Sequence, residues 1–128
     1  MAVETFYLKL SNETASFQFA EEIHLGGFLC GVFEMKGEIS PVIDKEEFFL
    51  CGNFIKESIF PQGKSAVLRR IPLDVGGIIN TKFEKILWLP INRDKISEMK
   101  LYICDSSGNV PSFNKVSLSC TLVCIPEL

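Results

Sequence analysis

The sequence is short of the residues from which most active sites are built. Its 128 residues include a single histidine, His24, and a single tryptophan. A histidine-based acid–base pair would need His24 to work with a distant carboxylate or cysteine, and no spacing links them. Residues 63–65 (GKS) end like a phosphate-binding loop, but Ser58 stands where that motif requires glycine. We therefore expect that the protein is not an enzyme and that it carries no cofactor or metal.

The sequence also lacks an excess of basic charge and a long apolar run. Lys and Arg number 13 against 16 Asp and Glu, which gives a net charge of −3. A protein that binds nucleic-acid phosphates needs a basic surface, so direct nucleic-acid binding is not expected. No run reaches the roughly 18–20 apolar residues of a membrane-spanning helix. The opening MAVETFYLKL lacks the basic and apolar regions of a secretory signal. We expect folding in the cytosol or nucleus, without a membrane partner.

The composition is that of a globular domain. Hydrophobic residues make up 47% of the chain, with 11 Phe, and charged residues make up 23%. A chain of this length fits one domain with a real core, so residues 1–128 are taken as one domain. Five cysteines in a reducing compartment indicate small buried hydrophobic side chains rather than disulfides. They are Cys30, Cys51, Cys104, Cys120 and Cys124.

Alternation of apolar and polar residues predicts about eight β-strands. The expected strands are residues 5–10, 16–19, 28–36, 47–51, 66–71, 82–89, 98–104 and 116–125. A bulge is expected near Gly31, because the inward set there shifts by one residue. Residues 21–25 are expected to be an irregular connection, and residues 37–45 a loop or an exposed edge. Strands of this length and spacing predict an all-β sandwich, barrel or jelly roll.

Residues 48–73 form the central stretch, two buried strands joined by a bent, partly polar connection. Phe48, Leu50, Val67 and Leu68 are expected to be buried, and residues 54–64 are expected to be exposed. Adjacent arginines on a strand point to opposite faces, so at least one could pair with an acid across a subunit boundary. Two ordinary surface arginines remain the alternative. The candidate interface residues are Phe60, Lys64, Arg69 and Arg70.

Four segments resemble a known family. They are TFYLKLS at 5–11, GFLCGVFEM at 27–35, the whole of 48–72, and the stretch from LYICDSSGN at 101–109 through TLV at 121–123. In this order they resemble the penton-type single jelly-roll minor capsid proteins of Polinton/Maverick elements and adintoviruses. Phe28 stands where that family has tryptophan, and residues 12–25 lack its proline-rich stretch. The resemblance leaves open a viral protein or a host-domesticated copy.

The resemblance implies an eight-stranded single jelly roll that assembles as a homopentamer at the vertices of an icosahedral capsid. Its partners would be copies of itself and a different major capsid protein. It would be found in the virion, and in the host cytoplasm or nucleus during assembly. The alternative is a ligand- or receptor-binding β-sandwich, such as a lectin-like or cytokine-like trimer. Trp88 and the many Phe residues could then form a sugar-binding face, although a small β core needs the same residues.

Overall fold

The structure, a computed structural model, describes residues 3–42, 47–60 and 63–127, apart from the side chains of 58–60 and 63–65. Within those residues the chain forms eleven strands and one 3₁₀ turn, Val75–Gly77. The strands are β1 (Glu4–Leu10), β2 (Thr14–His24), β3 (Phe28–Pro41), β4 (Phe48–Gly52), β5 (Ser58–Phe60), β6 (Gly63–Ser65), β7 (Val67–Arg70), β8 (Ile78–Lys82), β9 (Leu89–Pro90), β10 (Lys95–Asp105) and β11 (Phe113–Pro126). None of the described helical structure has the length and apolar character that a bilayer crossing requires.

The eight longer strands form two antiparallel sheets. Sheet A has the order β1-β11-β3-β8, with β9 adding a short pairing to β3, and sheet B has the order β2-β10-β4-β7. Strands from the two halves of the chain therefore pair as β1 with β11, β2 with β10, β3 with β8 and β4 with β7. This is one long antiparallel hairpin wound so that successive pairs fall in alternate sheets. That winding is a jelly roll, so the predicted all-β, eight-stranded single jelly-roll sandwich is confirmed.

The inner faces of the two sheets fill the sandwich with apolar side chains. On β11 the alternating residues predicted to point inward are all at most 9% exposed; they are Val116, Leu118, Cys120, Leu122 and Cys124. Within the described residues no buried residue is polar or charged. The described interior of the sandwich is therefore a packed core of apolar and cysteine side chains.

The predicted bulge in β3 is present, two residues beyond Gly31. Glu34 pairs with Thr121 whereas Val32 pairs with Leu122, so Phe33 is the extra residue. Phe33 is 39% exposed, and the inward positions shift by one around it. Glycine is needed at position 31 for a different reason, which is the close approach of another segment. A Cβ at this position would lie 2.8 Å from the carbonyl oxygen of Leu87. The chain after β8 therefore crosses the outer face of sheet A at Gly31.

Two predicted connections and one predicted strand are wrong, and in the two connections strand pairing outweighs local composition. Residues 21–24 continue β2, where His24 pairs with Lys95 of β10 despite the exposed acidic residues. Residues 37–41 continue β3, which is central in sheet A and pairs with β11 and β8 on its two sides. The strand expected at 82–89 is mostly irregular, and the missed strand β8 lies just before it.

The central stretch folds largely as predicted. Strands β4 and β7 pair with each other, Phe48, Leu50 and Leu68 are at most 1% exposed, and Val67 is half-buried. The prediction that the connection is exposed is wrong at its start. Phe54 and Ile55 are each 1% exposed, because the Phe54 ring packs inside the sandwich and Ile55 bridges to Ile91 near β10.

Candidate subunit interface

Arg69 is half-buried at the side of the sandwich where β7 and β8 are the outermost strands. Its Nη1 donates a hydrogen bond of 2.9 Å to the carbonyl oxygen of Lys85. Its guanidinium carbon lies 4.2 Å from the centre of the Phe83 ring, which is a cation–π contact. Both partners follow β8 of sheet A, whereas Arg69 belongs to sheet B. Arg69 therefore ties the two sheets together, and we name the side formed by β7 and β8 the bridged edge.

Of the other predicted interface residues, Arg70 lies on β7 itself, while Phe60 and Lys64 lie in the two strands that precede β7 in the chain. Arg70 is exposed and pairs in register with Phe49, so the two arginines do point to different sides of the strand. Phe60 is in β5 and Lys64 is in β6, which pair as a short hairpin. The side chains of Phe60 and Lys64 lie outside the described residues. Because Arg69 already has partners within the subunit, Arg70 is the arginine that remains available to a neighbour.

The opposite side of the sandwich, formed by β1 and β2, is built differently, and we name it the open edge. Strand β1 pairs only with β11 and strand β2 only with β10 among the described residues, so each has a free side. Phe6 and Phe19 contact each other there, with ring centres 5.7 Å apart and planes tilted by 52°. Both rings are only half-buried. This contact is apolar, and the polar tie on this side lies in the β1–β2 turn. There the Glu13 carboxylate accepts a hydrogen bond of 3.1 Å from the main-chain N–H of Phe113, and the Glu13 carbonyl oxygen accepts one of 2.9 Å from Ile103.

Exposed apolar side chains extend the open edge onto the outer face of sheet A. Tyr7 is 81% exposed and lies opposite Thr121, while Val3, just before β1, is 56% exposed. An edge strand with unpaired main-chain groups is a template for pairing with another chain. The alternation in residues 5–10 indicated that Tyr7 points away from the core. Only the strand order reveals that β1 is an edge strand.

A pocket of about 310 Å³ lies at one end of the sandwich, between the β2–β3 turn and the segment before β10. Its lining includes Phe28, Lys56, Arg93, Asp94 and Glu127. The lining mixes both signs of charge and has one aromatic residue. Nearby, the Asn92 side chain donates hydrogen bonds of 2.9 and 3.2 Å to the carbonyl oxygens of Asn53 and Ile55, which fixes one wall. In the described part of the chain, no three His, Cys, Asp or Glu residues cluster as metal ligands would.

Comparisons with known proteins add little to this geometry. No family model and no curated protein matches the sequence. Among solved structures, the chain is similar to one described as infectious bursal disease virus, Gx strain, with 13% sequence identity and a TM-score of 0.28. The match covers 99% of this chain and 34% of the other, so this chain spans about a third of that protein. The fold rests on the strand order given above.

Proposed function

We propose that this protein is a structural subunit of an icosahedral capsid that assembles with copies of itself. In this proposal it forms a homopentamer at the capsid vertices, beside a different major capsid protein. It is then related to the penton-type single jelly-roll proteins of Polinton/Maverick elements and adintoviruses. It acts without catalysis, without a cofactor, and without direct contact to nucleic acid or membrane. It resides in the virion, after assembly in the host cytoplasm or nucleus.

Two features support the proposal from the fold. Jelly rolls recur in viral capsid domains, although a fold alone does not assign a function. The four segments that resemble the capsid family become β1, the first part of β3, the β4–β7 unit and the β10–β11 hairpin. They therefore contribute to both sheets and include the central strands of each. The resemblance follows the framework of the jelly roll rather than one isolated strand.

The observation that carries the proposal is the open edge. Two adjacent edge strands, β1 and β2, offer free main-chain groups beside half-buried aromatic rings and the exposed Tyr7. The apolar interior leaves the surface as the place where the protein acts. A second copy is the occupant we propose, because a homopentamer needs two different surfaces on each subunit. The open edge and the side carrying Arg70 are on opposite sides of the sandwich, so the two surfaces of such a contact do not overlap.

Light scattering across a concentration series tests the proposal. We expect an assembly larger than a monomer, with contacts that bury more than roughly 1,000 Å² each. The variant Tyr7→Lys should shift the protein toward monomer, because it adds a charge to the proposed contact. The matched control is Val110→Lys, since Val110 is 47% exposed in the connection between β10 and β11, which belongs to neither edge. A monomer at every concentration would reject self-assembly, and equal effects of the two variants would reject the open edge as the contact.

The alternative function is that of a ligand- or receptor-binding β-sandwich, possibly domesticated by a host. The pocket at the sandwich end is the observation that favours it. Its lining, with Lys56, Arg93, Asp94 and Glu127, suits a polar or zwitterionic group better than stacking on a sugar ring. Two results together would support this alternative over the capsid subunit. The protein would form trimers, and Arg93→Ala would lose binding of a polar or zwitterionic ligand in the pocket.

A further inference from the structure

Cys51 and Cys104 are buried, at 0% and 2% exposure, yet they lie outside the main hydrophobic cluster. They belong to β4 and β10, where Leu50 and Ile103 beside them point into the core. Because side chains alternate along a strand, Cys51 and Cys104 point to the outer face of sheet B. Their Sγ atoms are 2.9 Å apart. We propose that Cys51 and Cys104 form a reversible intrachain disulfide when the folded protein meets a peroxide.

The geometry brings the two sulfurs close to bonding distance. A disulfide bond is about 2.05 Å long, so the sulfurs must approach by roughly another 0.9 Å. Cys51 pairs in register with Tyr102, and Cys104 pairs with Phe49, so the two cysteines are diagonal neighbours. Diagonal neighbours have Cα atoms about 7–8 Å apart, just beyond the roughly 6.8 Å that a disulfide usually spans, so the bridge requires a small backbone movement. The register of β4 against β7 shifts between Leu50 and Cys51, and such an irregularity gives the backbone room to adjust.

A second cysteine pair in the same molecule provides the contrast. Cys30 and Cys124 are directly opposite each other on β3 and β11, with Sγ atoms 3.2 Å apart. Both are 0% exposed and belong to the core between the sheets, so an oxidant would have to enter the sandwich. The Cys51–Cys104 pair instead has half-buried neighbours on an outer face, Phe49 and Tyr102. A peroxide reaches this pair through a local opening of that face.

The acid–base chemistry of the pair assigns the roles. The hydrogen bond between the two thiol groups lowers the pKa of Cys104, because a thiol on Cys51 stabilises the Cys104 thiolate. The same hydrogen bond, together with burial, raises the pKa of Cys51. The thiolate is the nucleophilic form of cysteine. Cys104 is also the less buried of the two, at 2% exposure against 0% for Cys51, so in the proposal Cys104 reacts first and Cys51 resolves the product.

Each disulfide bond that forms consumes one molecule of hydrogen peroxide. The Cys104 thiolate attacks one oxygen of hydrogen peroxide, the O–O bond breaks, and hydroxide leaves, which gives a sulfenic acid on Cys104. The Cys51 sulfur then attacks the Cys104 sulfur and displaces the hydroxyl group, which departs as water with the Cys51 proton. The two sulfurs together lose two electrons and the peroxide gains them. A dithiol reductant reverses the bridge by thiol–disulfide exchange.

Thiol counting by mass spectrometry tests this inference. The folded protein is treated with hydrogen peroxide, then denatured and alkylated, and its digest is mapped without reduction. We expect the number of alkylated cysteines to fall from 5 to 3, with one peptide pair joined through Cys51 and Cys104. Dithiothreitol should restore all of them. The bridge should raise Tm by roughly 5–15 °C, because it closes a long loop of the unfolded chain.

Matched variants separate the two cysteine pairs. Cys51→Ser and Cys104→Ser should form no intrachain bridge and show no rise in Tm, whereas Cys30→Ala, which removes the second pair, should still form the bridge between Cys51 and Cys104. Three results on the parent protein alone would overturn the inference, even if a variant failed to fold. They are five thiols left after peroxide, a bridge that maps to Cys30 and Cys124, and a bridge that forms only after unfolding in urea.

Discussion

The two edges of the sandwich differ in how their strands are held together. At the bridged edge, Arg69 connects sheet B to the segment after β8 through a hydrogen bond to Lys85 and a contact with Phe83. At the open edge, the Phe6 and Phe19 rings make a tilted contact, and Glu13 in the β1–β2 turn accepts hydrogen bonds from Phe113 of sheet A and Ile103 of sheet B. The outermost strands β7 and β8 also have free main-chain groups, so both edges can meet a second chain. We expect the open edge to contribute the apolar part of the contact, because its half-buried rings lie beside Tyr7, which is 81% exposed.

The largest expected difference between the edges is in the unfolding free energy that a phenylalanine side chain contributes at each. Phe54, 1% exposed and packed near β7, should cost about 3–5 kcal/mol of unfolding free energy when changed to alanine. Phe19→Ala at the open edge should cost clearly less, because its ring is only half-buried. Urea unfolding of the two variants measures both values. Equal losses would mean that the open edge is packed as deeply as the bridged edge.

The next prediction concerns the tie at the bridged edge. Arg69→Ala removes a hydrogen bond from a charged donor and a cation–π contact, so we expect a loss of about 1–3 kcal/mol. Arg70→Ala, the neighbouring exposed arginine, is the matched control and should change stability by less than about 0.5 kcal/mol. Thermal or urea unfolding distinguishes them. If both variants were neutral, the bridged edge would not owe its stability to Arg69.

A smaller effect is expected from the ring contact at the open edge. Phe6→Leu and Phe19→Leu each remove one aromatic partner while keeping apolar volume. A double-mutant cycle should give a coupling of about 0.5–1.5 kcal/mol between the two rings. The pair Phe6 and Phe83, on opposite edges, serves as the control and should show coupling within error. Absence of coupling at the open edge would show that the two rings do not stabilise each other.

The last prediction needs no substitution and therefore leaves the stability of the monomer unchanged. It concerns the rate of amide hydrogen exchange at the two edges. If subunits associate through the open edge, amides of β1 and β2 should exchange more slowly as protein concentration rises. Amides of the central strands β3 and β4 are the internal control, with the same peptides followed at low concentration. Slowing that is confined to β7 and β8 would move the proposed contact to the bridged edge.

The strand framework could be predicted from sequence wherever side chains alternate strongly. The alternation on β11 specifies its inward residues, and the apolar runs of the central stretch specify β4 and β7. The continuation of β3 through Gly37 to Pro41 could not be predicted in this way, because glycine and proline disfavour strands locally. It forms because β11 and β8 supply partners on its two sides. Those partners come from distant parts of the sequence.

The candidate interface was harder to predict than the fold, since edges depend on strand order. Nothing local in residues 4–10 indicates that β1 is an edge strand, and nothing local in residues 67–70 indicates that Arg69 meets Phe83. The adjacent arginines at 69 and 70 predicted a subunit contact on this strand, but Arg69 makes its hydrogen bond and cation–π contact within the subunit. Likewise, the sequence indicated that Cys51 and Cys104 are buried, but their proximity follows from the pairing of β4 with β10.

Electron microscopy of the purified protein at high concentration tests the central claim most directly. The account predicts rings whose class averages have five-fold symmetry, with β1 and β2 of each subunit at the contact with its neighbour. Particles with three-fold symmetry, or single subunits at every concentration, would contradict the proposal of a capsid vertex subunit.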